Sequence, residues 1–210
     1  MRWTSLAPCV AIFVIQGCQP DGGTQPPVAA DPAVTRQKAA ALEQYAATGS
    51  DREAPPSTGL IGKADVQAVD PRGREPLDDA ITCLARAIYW EARGEPAASE
   101  EAVANVVMNR LGHAGFPDTV CGVVKQGNER GACQFSWWCD GRPDQALHGR
   151  PYVAAKEIAR RALNGQLEDR TAGALYFHQR GAMPGWAARY QQTATVGKLV
   201  FYKPPEVEGH

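Results

Sequence analysis

Apolar residues recur at helical spacing in several stretches of this chain and alternate in two others. Ile81, Leu84, Ala85, Ile88 and Ala92 mark one face of a helix over about residues 79–93. Gly94 ends it, and Pro96 stops it from resuming. Ser99 is placed to cap a second helix that runs to about Leu111, with Val103, Val106, Val107 and Leu111 inward. Pro117 fits the first turn of a third, which carries Val120, Val123 and Val124 and ends near Gly127. Pro151 opens a longer helix with Ala155, Ile158, Ala159 and Ala162 facing inward and Gly165 as its stop. Residues 174–178 and 198–202 read as short strands. The pattern predicts a mainly α fold with a small β element, one α+β domain over residues 80–203 followed by a tail at 204–210.

The chain before residue 80 lacks this patterning. Arg2 precedes an apolar run at residues 6–15, broken only by Pro8 and far shorter than the ~20 residues of a membrane-spanning helix. It reads as a secretory signal. Cys18 after Ile15-Gln16-Gly17 resembles a bacterial lipoprotein processing site, which would make Cys18 the lipidated first residue. Gln19, rather than Asp, behind it points to the outer membrane. Residues 19–79 are rich in Pro, Ala, Gly, Ser, Thr and Asp, and few large apolar residues are present to offset the entropy of ordering. They are expected to form a tether, giving reach to whatever follows. An Ala-rich helix over residues 35–47 would be marginal on its own.

Composition narrows the function. Lys and Arg number 22 against 23 Asp and Glu, with no basic stripe and no Gly-rich phosphate loop, which argues against nucleic acid and nucleotide ligands. The four histidines are scattered and neither His-Glu-x-x-His nor Cys-x-x-Cys occurs, so no metal site and no cofactor are expected. Without Cys9 and Cys18, four of the six cysteines remain: Cys83, Cys121, Cys133 and Cys139. An even number in an exported domain points to two disulfides, with three connectivities open. A monomer is expected.

Glu91 is the candidate for chemistry. It sits three residues after Ile88 and seven after Leu84, which places its carboxylate at the edge of the apolar stripe. A carboxyl turned partly into a core loses hydration, its pKa rises, and it can hold a proton for a leaving oxygen. The plainer alternative is a carboxylate paired with Arg93 or Arg110. Asp140 is the candidate second carboxylate, although Asp140-Gly141 reads more naturally as a turn.

The segment Cys83-Leu84-Ala85-Arg86-Ala87-Ile88-Tyr89-Trp90-Glu91-Ala92-Arg93-Gly94-Glu95 resembles the opening motif of cell wall hydrolases of the SleB/CwlJ type, the spore-cortex-lytic enzymes. Val106-Val107-Met108-Asn109-Arg110, Gln134-Phe135-Ser136-Trp137, Ala174-Leu175-Tyr176-Phe177-His178 and Gly197-Lys198-Leu199-Val200-Phe201-Tyr202 continue the series. The likeness spans roughly residues 80–203 and does not extend to residues 1–79. It implies a fold like that of lysozymes and lytic transglycosylases, and cleavage of peptidoglycan glycan strands by one glutamate, which maps to Glu91. In such folds a loop faces the catalytic glutamate across the groove. Gln134 and Ser136 are then candidates for polar contacts to the sugar, and Trp137 or Trp138 for a stacking platform, one of the pair being core. Tyr176 and His178 share one face of a strand and are candidates for substrate contact. Glu95, Asn109 and Arg110 are expected to support the site, with Arg110 pairing with Glu95 or another acid. The predicted reaction is lytic cleavage of the MurNAc–GlcNAc β-1,4 bond at the periplasmic side of the envelope. The rivals are a hydrolytic muramidase, a silent wall-binding lipoprotein and, less favoured, a zinc amidase.

Overall fold

The computed structural model describes residues 29–49, 55, 57–127, 133–147 and 149–205. Six helices and three strands are described: α1 Pro32–Ala47, α2 Lys63–Ala68, α3 Ala80–Ala92, α4 Ala97–Arg110, α5 Val120–Lys125, α6 Gly149–Leu163, β1 Tyr176–Gln179, β2 Gln191–Val196 and β3 Leu199–Lys203. The expected mainly α fold with a small β element is what forms. The sheet is antiparallel with order β1-β3-β2, Tyr176 opposite Tyr202 and His178 opposite Val200. β2 escaped the sequence pattern because it is polar and largely exposed, a half-covered outer strand beside the buried β3.

Helix α3 is the axis of the molecule, touching α1, α4, α5 and α6. Asp79 caps it by accepting from Thr82 N at 2.9 Å. Every residue of α3 is buried except Trp90 and Glu91. A single apolar stripe would have left one face wet, so something covers that face. The cover is the segment before residue 80.

The tether expected over residues 19–79 is therefore corrected for its described part. Asp31 caps α1 and Pro32 occupies its first turn, while Thr35, Ala39 and Leu42 turn inward one helical turn apart. Arg36 bonds Glu75 and Asp79, and Glu43 Oε2 accepts from Val120 N at 2.8 Å at the start of α5. Ile61, Val66, Val69 and Leu77 complete the packing. A helix too short to stand alone is stabilised here by docking. The signal and Cys18 lie outside the described residues.

Beneath this cover sits a buried charge. Asp70 is fully buried with φ of 44°. Its Oδ1 accepts from Arg74 N (2.7 Å) and Glu75 N (3.0 Å), and its Oδ2 from Arg86 Nη2 (2.8 Å) and Tyr152 OH (2.6 Å). Burial pushes the Asp70 pKa up, but these donors outweigh it and hold the carboxyl below its usual value. Lys156 Nζ reaches the carbonyls of Gln67 and Val69 at 3.0 and 3.1 Å, so α6 grips the same segment.

Two disulfides form, Cys83–Cys121 and Cys133–Cys139. The first joins α3 to α5 across 38 residues, a closure that stabilises by about 4 kcal/mol in the chain-entropy view. Ser99, expected as a cap, lies buried inside the first turn of α4, whose N-cap is Pro96. Its Oγ lies against the β2–β3 turn, where a Cβ on Gly197 (φ 58°) would come within 2.4 Å of it. That contact fixes the sheet against α4.

The docking of α1 has a direct test. Leu42→Ala, at a side chain 4 % exposed, is expected to cost ~2–5 kcal/mol in urea unfolding of the full chain. A loose tether would give no change.

Candidate active site

Glu91 sits in the last turn of α3, with the carboxyl partly exposed and, among the described residues, held by no hydrogen bond or ion pair. Its neighbour Trp90 is fastened, since the indole Nε1 donates to Asp144 O at 3.1 Å. Arg93, the alternative partner, donates to Tyr89 OH at 2.9 Å and lies over the Tyr89 and Trp90 rings. Burial raises the Glu91 pKa from 4.5 to about 7, a rise moderated by the positive charge of Arg110.

Arg110 ends α4 at 2 % exposure. Its Nε donates to Leu175 O at 2.8 Å and its Nη2 to Gln134 Oε1 at 3.4 Å. The guanidinium lies 5.1–5.6 Å from the rings of Phe116, Phe135 and Tyr176. Burial holds its pKa down to about 10, against the pull of Tyr176 and Glu91. The expected pairing with Glu95 is not made: Glu95 Oε1 instead takes Lys198 Nζ at 2.6 Å, at the β2–β3 turn. Asn109 donates to Thr171 Oγ1 (3.2 Å) and Ala174 O (3.1 Å), tying α4 to the segment before β1.

Arg110, Gln134, Tyr176, Trp186 and Tyr190 line a cavity of about 300 Å³. Strand alternation puts Tyr176 and His178 on one face of β1 while Leu175 and Phe177 pack towards the core. On that face Trp186 stands 5.7 Å from both Tyr176 and His178, and Tyr190 stands 5.0 Å from Tyr176. His178 Nε2 meets Tyr202 OH at 3.0 Å, with the two rings stacked.

A family profile described as Cell Wall Hydrolase matches residues 94–202, just over half of the chain. The chain belongs to the cell wall hydrolase family. The match begins at Gly94, just past Glu91. Among curated relatives, the spore cortex-lytic enzyme of Halalkalibacterium halodurans is 37 % identical over 125 residues, covering 59 % of this chain and 34 % of that protein. The enzyme of the same name from Bacillus subtilis is 34 % identical over 140 residues, covering 66 % and 42 %. The chain thus matches between a third and under half of the length of these relatives. Among solved structures, the catalytic domain of the Bacillus cereus SleB protein aligns at 34 % identity and a TM-score of 0.49, covering 59 % of this chain and 89 % of that one. The catalytic domain of the germination-specific lytic transglycosylase SleB from Bacillus anthracis gives the same two values over 63 % and 99 %.

The sequence-predicted residues do not all converge within this cell wall hydrolase domain. Gln134, Tyr176 and Arg110 share the cavity, and His178 adjoins it through Trp186. Ser136 is exposed at the start of a 3-10 turn, Ser136–Trp138. Trp137, one of the two platform candidates, is the core member of the pair, at 7 % exposure. Trp138 packs against that core, with Lys125 over its ring. Disulfide Cys133–Cys139 brackets the Trp-Trp segment. Asp140 Oδ1 accepts from Arg142 N at 2.8 Å, the turn contact foreseen for it. Trp186 and Tyr190 were missed. The signal was present in Met183-Pro184-Gly185-Trp186, where a large indole in a turn-rich polar stretch has no core to fill.

The raised pKa of Glu91 links folding to pH. The folded protein holds the proton more tightly than the unfolded chain, so stability is fully present below pH 4.5 and lost as pH rises through about 7. Glu91→Gln, which cannot ionise, is expected to be more stable than the parent at pH 8 by up to roughly 3 kcal/mol and to show little difference at pH 4. Urea midpoints of both proteins at the two pH values check this; a pH-independent difference contradicts the buried-acid environment.

Proposed function

We propose that this chain cleaves the glycan strands of peptidoglycan at the MurNAc–GlcNAc β-1,4 bond, as a lytic transglycosylase with Glu91 as the acid and then the base. The observation that carries the reading is the Glu91 carboxyl itself: without a partner among the described residues, half-buried, and with a pKa raised to about 7 by burial. Membership of the cell wall hydrolase family and the spore cortex-lytic relatives support the substrate class.

The chemistry follows from one proton. Neutral Glu91 protonates the glycosidic oxygen as the bond to muramic acid C1 breaks. The carboxylate left behind is favoured by the charge of Arg110. The C6 hydroxyl of the same muramic residue then attacks C1, closing a 1,6-anhydro ring, and its proton returns to Glu91. The nucleophile is already held close, so no water needs activation and no second carboxylate is required. A two-carboxylate hydrolase would need a partner ~5–9.5 Å from the acid. Asp140, the residue proposed for that part, is committed to its own turn. Tyr176, His178, Trp186 and Tyr190 offer ring faces to the apolar faces of sugars, and Gln134 and Ser136 offer polar contacts. The enzyme is proposed to be exported and anchored by lipid at Cys18, on the inner face of an outer membrane.

Glu91→Gln is expected to lower strand cleavage on isolated sacculi by at least ~10²–10⁴-fold without loss of fold. Asp140→Asn is expected to retain most activity. Mass analysis of products should find ends in 1,6-anhydro-muramic acid, one water lighter than reducing ends. Reducing-end muramic acid together with a dead Asp140→Asn variant would transfer the chemistry to a muramidase.

A further inference from the structure

Arg110 is better equipped than a structural brace needs to be. Its Nε and Nη2 are engaged by Leu175 O and Gln134 Oε1, but its Nη1 is buried with no hydrogen-bond partner among the described residues. Such an atom forfeits its hydration with nothing in return. A buried guanidinium is retained at a cost unless an anion answers it. Among the described residues no carboxylate forms an ion pair with it. Glu95 is taken by Lys198, and Glu101 by Arg161 and Arg170. Glu91 senses the charge of Arg110 without an ion pair, and burial raises its pKa to about 7, so near neutral pH it carries only part of a negative charge.

The space beside the guanidinium is of the right kind. The cavity of about 300 Å³ lies at the lower end of small-molecule pockets, room for one sugar substituent rather than a chain of sugars. Its walls are Tyr176, Trp186 and Tyr190, and Gln134 adds an amide. Aromatic walls exclude water around a single cationic donor, which strengthens a charge-assisted hydrogen bond. Sugar hydroxyls and N-acetyl oxygens are neutral acceptors and would leave the buried charge unanswered.

We infer that the Arg110 cavity is a receptor for a carboxylate carried by the muramic acid unit, with Nη1 as the donor and the Tyr176–Trp186–Tyr190 wall against the rest of the substituent. This rests on the glycan-cleaving reading and adds to it a charge requirement. Two sources supply such a group: the lactyl carboxylate of a peptide-free muramic residue, and a carboxylate of an attached peptide stem. Both place a negative group beside the sugar whose C1–O bond is broken. The receptor would thereby fix which sugar of the strand lies next to Glu91.

The test is binding, not turnover, using the full-length Glu91→Gln protein and titration calorimetry. The probes are GlcNAc–MurNAc with its lactyl carboxylate free, the methyl ester of that carboxylate, the same disaccharide bearing a peptide stem, and chitobiose. The free acid is expected to bind roughly ten- to a hundred-fold more tightly than its ester. A peptide-bearing disaccharide that binds like the acid identifies the stem as a source, and one that binds like the ester identifies the lactyl group. Equal binding of acid and ester overturns the carboxylate receptor and leaves the glycan reading standing. No binding by any probe overturns both. Because Arg110 is buried and its replacement endangers the fold, the variant to use is Gln134→Glu at an exposed position. It sets a carboxylate within reach of the same guanidinium, and the preference for acid over ester should vanish. A preference that persists in Gln134→Glu shows that Arg110 is not the receptor.

Discussion

The arrangement depends on the ion pair between Arg86 and Asp70. Arg86 lies in the middle of α3, where a guanidinium is tolerable only with an anion beside it; its Nε is buried without a hydrogen-bond partner among the described residues, but Nη1 and Nη2 are both engaged. Asp70 answers it with Oδ2, the carbonyls of Glu75 and Asp144 take further donors, and Tyr152 shares the carboxylate. Removing one partner of such a pair typically costs ~3–5 kcal/mol because the other is left charged and dry. The pair joins three separate parts of the chain: the segment before α3, α3 itself and α6. It also reaches the site, since Arg86 and Trp90 both donate to Asp144 O, which fixes the α3 turn that presents Glu91. Asp70 accepts a left-handed backbone to play this part, a strain of order 1–3 kcal/mol that its four hydrogen bonds outweigh.

Burial of α3 on nearly all sides is also what raises the Glu91 pKa. Two influences oppose each other there. Desolvation favours the neutral carboxyl, while the cation of Arg110 favours the carboxylate, and desolvation is the larger. Were Arg110 in direct contact, an ion pair would hold Glu91 ionised and useless as a proton donor. Arg110 is kept apart by its own commitments to Leu175 and Gln134. Near enough to be felt and too tied to pair, it leaves the proton poised near neutrality. α4 thus sets the acidity of a group on α3, and Asn109, by fastening α4 to the approach to β1, holds the aromatic face in register with both.

How much of this was legible follows from how local each signal is. Helices α3, α4 and α6 and strands β1 and β3 announce themselves by periodicity, since each buries a face made of its own residues. Glu91 at the edge of a stripe is readable for the same reason. The N-terminal cover was misjudged because its apolar residues are few and far apart: Leu42, Ile61, Val66, Val69 and Leu77 look like isolated residues in polar chain. They find partners only across α3 and α6, and composition cannot report a long-range partner. Trp186 and Tyr190 belong to the same class of miss, for they meet Tyr176 only once the sheet has folded. The tryptophan pair was half legible: one of Trp137 and Trp138 was expected in the core, and the choice of Trp137 depends on partners outside its own loop.

The docked N-terminal segment would shorten the reach of the lipid anchor proposed at Cys18. A free tether reaching to residue 79 would let the domain stray roughly 200 Å from the lipid if fully extended. With α1 capped at Asp31 and held through Arg36 and Glu43, the chain between Cys18 and the folded body spans at most roughly 45 Å. Such an enzyme would work on strands close to the membrane that holds it, not throughout the depth of the wall. The same short leash keeps the local concentration of enzyme high at that surface. The proposed anchor would thereby act on the folded body through α1, whose Glu43 accepts from the first residue of α5 and whose Arg36 meets the residue that caps α3.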